Sequence, residues 1–431
     1  MARAPQAVEI RSFQVGFGDC FLLSFVYGEK DSRHVLIDFG TTALPRSGKP
    51  STHMPQVAAE IAKVCGPKGR LTAVVATHRH ADHISGFGTD SKTGESGKII
   101  RALKPRLVLQ PWTEDPKARV DARQATPGGR SRKGFVAGLA AMNDLAARVH
   151  RLALSKPPWM SAAVRRELEF LGADNIANRS AIDNLIAMGK AQGAKTRYLR
   201  FGDRTGLESL LPGVRVRVLG PPDLTQTEKI RKQRSRDPDE FWQLAAGTVP
   251  SGAGPNLASG AGGRSGHRVP IEGRWFRDRL ESLTGQGLLE IVRQLDKQMN
   301  NTSLILLFEV FGKRLLFPGD AQLENWSYAL SEAPNSADVR EMLADVDFYK
   351  VGHHGSLNAT PRKALWGRFR KRKGRQLKTM MSTMPGKHGK KESRTEVPRG
   401  TLLQALKSGS ELKSTHELKR DERVHLVTIE P

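Results

Sequence analysis

The stretch Thr77-His78-Arg79-His80-Ala81-Asp82-His83-Ile84-Ser85-Gly86 places three of the chain's 12 histidines and an aspartate within six positions. It follows Leu71–Thr77, an apolar run that predicts a buried strand. A tight loop at a strand end can converge imidazoles and a carboxylate on one point. That is what a Zn²⁺-type cation with ligands at roughly 2.0–2.2 Å requires. Solvated loop histidines are the alternative, but four metal-competent groups after a buried strand have no packing rationale.

Upstream, Val8–Val15, Phe21–Val26 and Val35-Leu36-Ile37 read as strands, separated by turns at Gly16-Phe17-Gly18 and Gly28-Glu29-Lys30-Asp31. Pro55–Cys65 carries Val57, Ile61, Val64 and Cys65 at helical spacing and stops at Gly66-Pro67. Ile99–Gln110 reads as one more strand. Strand, helix, strand in this order predicts a layered α/β architecture. Downstream, Phe135–Leu154, Ala162–Leu171, Asn175–Met188 and Trp275–Met299 have helical periodicity, and Gly247–Gly266 reads as a Gly/Ser/Ala-rich loop. Strands are expected at Thr196–Phe201, Val214–Leu219, Ser303–Val310, Arg314–Phe317, Phe348–Val351, Leu377–Ser382 and Val424–Ile429.

The 431 residues suffice for about three domain-sized units. The composition excludes a collagenous chain, a coiled coil and a disulfide mini-protein. Two cysteines, Cys20 and Cys65, point to a reducing compartment. No secretory signal or membrane span is visible, so a cytoplasmic protein without membrane association is the expectation. Sixty-nine basic against 44 acidic residues leave a net charge of +25, which suits either a polyanionic partner or an arginine-rich proteome. No P-loop, dinucleotide fingerprint or deaminase signature occurs.

Thr77–Gly86 resembles the His-x-His-x-Asp-His signature of the metallo-β-lactamase fold. Val15-Gly16-Phe17-Gly18-Asp19-Cys20, Leu36-Ile37-Asp38-Phe39-Gly40, Asn300-Asn301-Thr302-Ser303-Leu304, Phe317-Pro318-Gly319-Asp320-Ala321 and Lys350-Val351-Gly352-His353-His354-Gly355-Ser356 follow in the expected order. Together they resemble the subgroup typified by the soluble domain of competence proteins that process incoming DNA. The resemblance implies an α/β, four-layered αβ/βα sandwich. It would be a single domain with its core at about 8–111, 196–223 and 300–430, interrupted by a helical insertion at 112–195 and a second insertion at 224–299. It also implies two divalent ions, Zn or Mn. His78 and His80 would hold one ion and Asp82 and His83 the other. Asp320 would bridge, and one histidine of the His353–His354 pair would complete the second site. Asp82 and Asp320 are thereby the candidate catalytic carboxylates.

The chain departs from the pattern at Val218-Leu219-Gly220-Pro221-Pro222-Asp223, where another histidine is expected and none occurs. Asp223 could substitute, although a proline-adjacent Asp is more often a turn former or cap. The first site is therefore expected to be the weaker. Asp38, at a strand end, is a candidate acceptor for a ligand imidazole N–H. Asp19, Asn301 and Ser356 are candidates for supporting or substrate contacts.

Two metals suit displacement at phosphorus. The basic run containing Arg368, Arg370, Lys371, Arg372, Lys373 and Arg375 begins fourteen residues after His354, with Trp366 and Phe369 available to stack on bases. A second run is Arg231–Arg236. The expected function is a metal-dependent phosphodiesterase or nuclease with DNA or RNA as substrate. The alternatives are a lactone, thioester or small-ester hydrolase of the same fold, and a nucleic-acid- or partner-binding module on a metal-poor scaffold.

Overall fold

The computed structural model describes residues 4–115, 179–229, 299–370, 376–389 and 396–431, with short gaps at 47, 50, 67–69, 91–93, 228 and 420–421, and a few positions between 153 and 168. The expected helices at 135–154, 162–171 and 275–299, the loop at 247–266 and the basic run at 231–236 fall almost wholly outside these residues.

The fold is mixed α/β with two sheets. In the first, β1 (Ala7–Phe13), β2 (Cys20–Gly28) and β3 (Asp31–Phe39) form an antiparallel meander. β4 (Leu71–Val75), β5 (Leu107–Pro111) and β6 (Lys195–Leu199) continue it in parallel from β3. In the second, β7 (Val214–Gly220), β8 (Ile305–Val310) and β9 (Lys313–Phe317) are antiparallel. β10 (Phe348–Lys350), β11 (Lys378–Met381) and β12 (Glu411–Ser414) then run parallel to β9. β13 (Val424–Ile429) returns to the first sheet beside β1.

Period-2 burial explains how the sheets pack. Val8, Ile10, Phe21, Leu23, Val35, Ile37, Val75 and Leu109 of the first sheet share one apolar cluster with Val216, Val218, Leu306, Phe308, Phe317 and Met380 of the second. The opposite residues of the first sheet, Leu22, Leu36, Val74 and Val108, meet helices α1 (His53–Cys65), α3 (Ser96–Ala102) and α4 (Arg179–Lys190), α2 being a single turn at Ala81–Ile84. Leu307, Leu316, Tyr349 and Met381 do the same for helices α5 (Leu323–Ser327), α6 (Ser336–Ala344) and α7 (Gly400–Gly409). In α1 the buried residues Met54, Val57, Ala58 and Ile61 follow the helical period.

The expected strand Ile99–Gln110 is corrected: its first part belongs to helix α3 and only Leu107–Pro111 is strand. Ile100 and Leu103 are spaced to face the same apolar cluster, and Pro105 cannot continue a helix, so Lys104 turns at φ 46°.

Parallel strands leave their C-terminal ends together, where ligands bind in open α/β sheets. Asp38 lies near the end of β3 and Thr77–His83 follows β4. Gly319-Asp320 follows β9, His353-His354 follows β10 and Ser382 follows β11. The two sheets are tied at this end by Leu304 N–H donating to Thr77 O at 2.9 Å.

Phe317 is 1% exposed, with ring centroids of Phe21, Phe308 and Phe348 at 6.1, 5.8 and 5.3 Å. Phe317→Ala should lower stability by about 3–5 kcal/mol, read as a reduced denaturant midpoint at unchanged slope.

Candidate metal centre

The loop after β4 is shaped by its neighbours. Arg79, between the first two histidines, turns away and binds Glu114 bidentately, its Nε donating at 2.9 and 2.8 Å and its other nitrogen at 2.6 Å. His80 is the residue before the single turn α2, which carries Asp82 and His83. Gly40 is required by close approach, because a Cβ there would lie 2.5 Å from Ala81 O and from His83 N. Gly18, where a Cβ would lie 2.6 Å from Asp82 O, and Gly40 are thus spacers for the histidine loop.

Among the described residues three groups of donor atoms result, each within 4.8 Å: Asp82, His83, Asp320 and His354 in the first, His78, His80 and Asp82 in the second, and Asp19, Asp38 and His83 in the third. All are buried. His83 Nε2 lies 3.0 Å from Asp320 Oδ2, and His354 Nε2 lies 2.9 Å from Asp82 Oδ2 and 3.5 Å from Asp320 Oδ2. His78 Nε2 and His80 Nδ1 approach to 3.0 Å. Asp82 is the carboxylate common to the first two groups, whereas Asp320, the expected bridge, belongs to the first alone.

Of the histidine pair, His354 is the member in the cluster. His353 is set back, with Nε2 3.9 Å from Asp320 Oδ2 and Nδ1 held by Ser356 Oγ at 2.7 Å. Both residues sit at positive φ, 42° and 51°, as does Asp38 at 56°. Such left-handed residues cluster where function requires a fixed direction for a side chain.

Supporting groups fix the imidazoles. Asp38 Oδ2 accepts from His83 Nδ1 at 2.8 Å, and Asp38 is itself held by the Thr77 N–H and Oγ1, both at 2.7 Å. His354 Nδ1 donates to Ser382 O at 3.0 Å. Each Nδ1–H is thereby committed, and each Nε2 is turned toward the carboxylates.

Asp19 contacts Lys350 Nζ and lies 3.5 Å from His354 Nδ1. Lys350, 2% exposed, also donates to Gly319 O at 3.0 Å and lies 3.4 Å from Asp320 Oδ1. Sequence reasoning did not select Lys350, since a lysine ending a strand carries no signal of burial. Its position four residues before His354 was the only pointer.

The electrostatics follow from crowding. Burial, then the Asp19 and Asp320 carboxylates that outweigh it, leave the Lys350 ammonium pKa raised. Burial would neutralise His83, but Asp320, Asp82 and Asp38 together lift its pKa well above the ordinary value, and His354 is raised in the same way by Asp320 and Asp19. Burial opposes ionisation of Asp82 and Asp320 too, yet the facing histidines hold both carboxyls below the usual range. Burial and the neighbouring His83 and His80 press His78 down, leaving it in the neutral, ligating form.

These residues fit a divalent cation. Asp82 Oδ1 is buried without a hydrogen-bond partner among the described residues, and His83 Nε2 faces the Asp320 carboxylate at 3.0 Å. Four buried carboxylates (Asp19, Asp38, Asp82 and Asp320) face a single buried lysine, an imbalance that protonated histidines, a proton on Asp19, whose pKa burial raises, or bound cations offset. Mixed imidazole and carboxylate donors suit Zn²⁺ or Mn²⁺.

Other expected residues fall elsewhere. Asp223 is a turn former, accepting from Thr225 N and Oγ1 and Gln226 N at 3.0, 2.6 and 3.1 Å and pairing with Arg200. It belongs to none of the three donor groups. Asn301 donates to Glu324 Oε2 at 3.2 Å and Ser356 supports His353. In the basic run, Arg368 is exposed, whereas Arg370 pairs with Glu341 and with Asp345 at 3.1 Å. Phe369 packs on Tyr349 and Trp366, with centroids at 5.5 and 5.8 Å, and both Trp366 and Phe369 are half-buried. Lys371, Arg372, Lys373 and Arg375 lie outside the described residues.

A scan of protein-family models and a search of curated proteins each find no match to this chain.

Lys350→Met removes the one buried ammonium from the cluster and should destabilise the chelator-treated protein by about 3–5 kcal/mol in denaturant unfolding. A pH dependence follows from the shifts. The raised pKa values of His83 and His354 give stability that is complete below about pH 6.5 and lost as pH climbs through the folded values. The depressed Asp82 and Asp320 give stability present above about pH 3.9 and lost as pH falls through their folded values. Chelator-treated protein should therefore show a Tm maximum between those limits and decline on the alkaline side. Saturating Zn²⁺ should remove the alkaline decline in the same scan.

Proposed function

We propose that the chain is a metal-dependent hydrolase of the metallo-β-lactamase type, an αβ/βα sandwich carrying insertions at 112–195 and 224–299, that cleaves phosphodiesters of nucleic acid. The observation that carries the reading is the buried Asp82–His83–Asp320–His354 group with the His78–His80–Asp82 group sharing its carboxylate. His83, His354, Asp82 and Asp320 would hold the tighter ion. His78, His80 and Asp82 would hold a second with one ligand fewer. Divalent ions so held supply Lewis acidity: they lower the pKa of water and neutralise charge on a phosphoryl oxygen.

The protein's own groups have separable roles. Asp38 and Ser382 O aim the Nε2 atoms of His83 and His354 by holding their Nδ1 protons. Lys350 neutralises Asp19 and engages Asp320 Oδ1, leaving Oδ2 directed at the histidines. Asp82 Oδ1, without a hydrogen-bond partner among the described residues, would orient a nucleophilic water by accepting a hydrogen bond from it. His353, 23% exposed at its side chain, stands at the margin of the cluster, where a leaving oxygen could take its proton. The net charge of +25 favours a polyanionic substrate.

The test is metal analysis of protein purified without chelator, followed by activity assays on single-stranded DNA, duplex DNA, RNA, a model phosphodiester, a thioester and a lactone. At least one ion per chain and metal-dependent phosphodiester cleavage are expected. Cleavage of thioester or lactone alone would move the function to ester hydrolysis, and less than one bound ion would favour a binding module. In the active protein, Asp82→Asn with His83→Gln should reduce hydrolysis to background while far-UV circular dichroism is unchanged. Asp38→Asn should weaken metal binding by about 10–100-fold in competition with a chromophoric chelator.

A further inference from the structure

At the end of the first sheet away from the histidines, each of four neighbouring strands carries a cation where it begins. Arg33 lies in the opening residues of β3, Arg70 immediately precedes β4, Arg106 precedes β5 and Lys195 opens β6. The register aligns them: His34 pairs with Leu71, Ala73 with Leu107, and Leu107 with Lys195. The Arg106 N–H donates to Leu71 O at 3.3 Å and the Lys195 N–H to Arg106 O at 3.0 Å, so the row is continuous. Adjacent strands are about 4.8 Å apart.

Two adjoining clefts follow this row. Ser32, Arg33, Arg70, Leu71, Thr72, Arg106 and Leu210 line one; Arg106, Lys195, Arg197, Gly206, Ser209 and Leu210 are among those lining the other. No carboxylate lines either. Arg70, Arg106, Lys195 and Arg197 are exposed and make no ion pair with a carboxylate among the described residues. Arg33 is committed elsewhere in part, donating to Leu210 O at 2.6 Å, pairing with Asp31 at 3.8 Å and lying over the Tyr27 ring, so the cations free of ion pairs among the described residues are the other four.

We infer that this strand-start row is a phosphate-tracking site for a nucleic-acid strand, distinct from the metal centre and separated from it by the full length of β4 and β5, five residues or about 16 Å each. Strand spacing gives a regular run of cations, which suits a polymer whose charges recur every few ångströms better than a single small anion. No aromatic residue lines the clefts, so contact falls on phosphates and carries no base preference. Leu154 and Leu426 are the large exposed hydrophobics among the described residues, which leaves no apolar wedge here for a lipid surface. The inference draws on the proposed hydrolase only for the identity of the polyanion. Binding is therefore measured with metal removed, so its failure and a failure of hydrolysis are distinguishable.

The experiment is fluorescence anisotropy with labelled single-stranded DNA of mixed sequence, in chelator, at several salt concentrations. Four phosphate contacts predict a log–log salt slope near −2.8, or about 50-fold weaker binding between 50 and 200 mM salt. The variant Arg70→Gln/Arg106→Gln/Lys195→Gln should reduce the slope magnitude by about 2. A charge-matched control, Lys363→Gln/Lys407→Gln/Lys419→Gln, should retain the slope. Should the triple variant fail to fold, each single substitution should lower the slope by about 0.7. Equal loss in variant and control would overturn the site in favour of bulk charge, as would an unaffected variant or no binding by the unaltered protein. Displacement of DNA by inorganic phosphate at low millimolar concentration would assign a small-anion pocket instead. Binding to phosphatidylserine/phosphatidylcholine vesicles that the triple variant loses, without DNA binding, would assign a membrane surface.

Discussion

Four carboxylates drawn into one dry place are the constraint around which this molecule is arranged. Asp19, Asp38, Asp82 and Asp320 come from four separate segments, yet each is almost fully buried. Bringing them together costs desolvation that no hydrophobic contact offsets directly, so every neighbour is recruited against it. Lys350 supplies a fixed positive charge, the histidines supply adjustable ones, and the backbone N–H groups of Thr77 and His353 donate to Asp38 and Asp320. The apolar cluster between the sheets holds the strand ends in place while this arrangement forms.

Much of the site was legible because its chemistry is dense and local. His78, His80, Asp82 and His83 fall on one loop after a run of apolar residues, so spacing alone places them together. Asp38 was legible as a polar residue at the end of an apolar strand. The choice between His353 and His354 was not, because adjacent residues differ only in backbone direction, and two successive left-handed φ values decide it. Lys350 was invisible for a related reason: its ammonium is buried by partners more than thirty residues away or on other strands.

The fold was readable where one periodicity dominates. Val424–Ile429 lies where alternation places it, and β1 and β2 are close to their expected bounds. Ile99–Gln110 misled because apolar residues from helix α3 and strand β5 abut, and Pro105 rather than any change in hydrophobicity divides them. Helices α5 and α6 and the segment Gly400–Gly409 were overlooked, being short and held by tertiary burial of Trp326, Leu343 and Leu402 more than by pattern. The basic run after Phe369 illustrates the opposite limit, since charge in a row says nothing of which carboxylates stand opposite.

The contact between His354 Nε2 and Asp82 Oδ2 closes a loop of 272 residues, and the Ser382 hydroxyl reaches Gly18 O across 364. Strands β1 and β13 pair across an even longer span. Such a topology has high contact order, and its nucleus must gather distant segments before any is rewarded. During synthesis the histidine loop emerges long before His354, Asp320 or Lys350, so the nascent chain presents only an incomplete ligand set. Capture of an ion in the full site would consequently be a late event, coupled to docking of the two sheets. The occupied centre would then register completed folding as well as chemical competence.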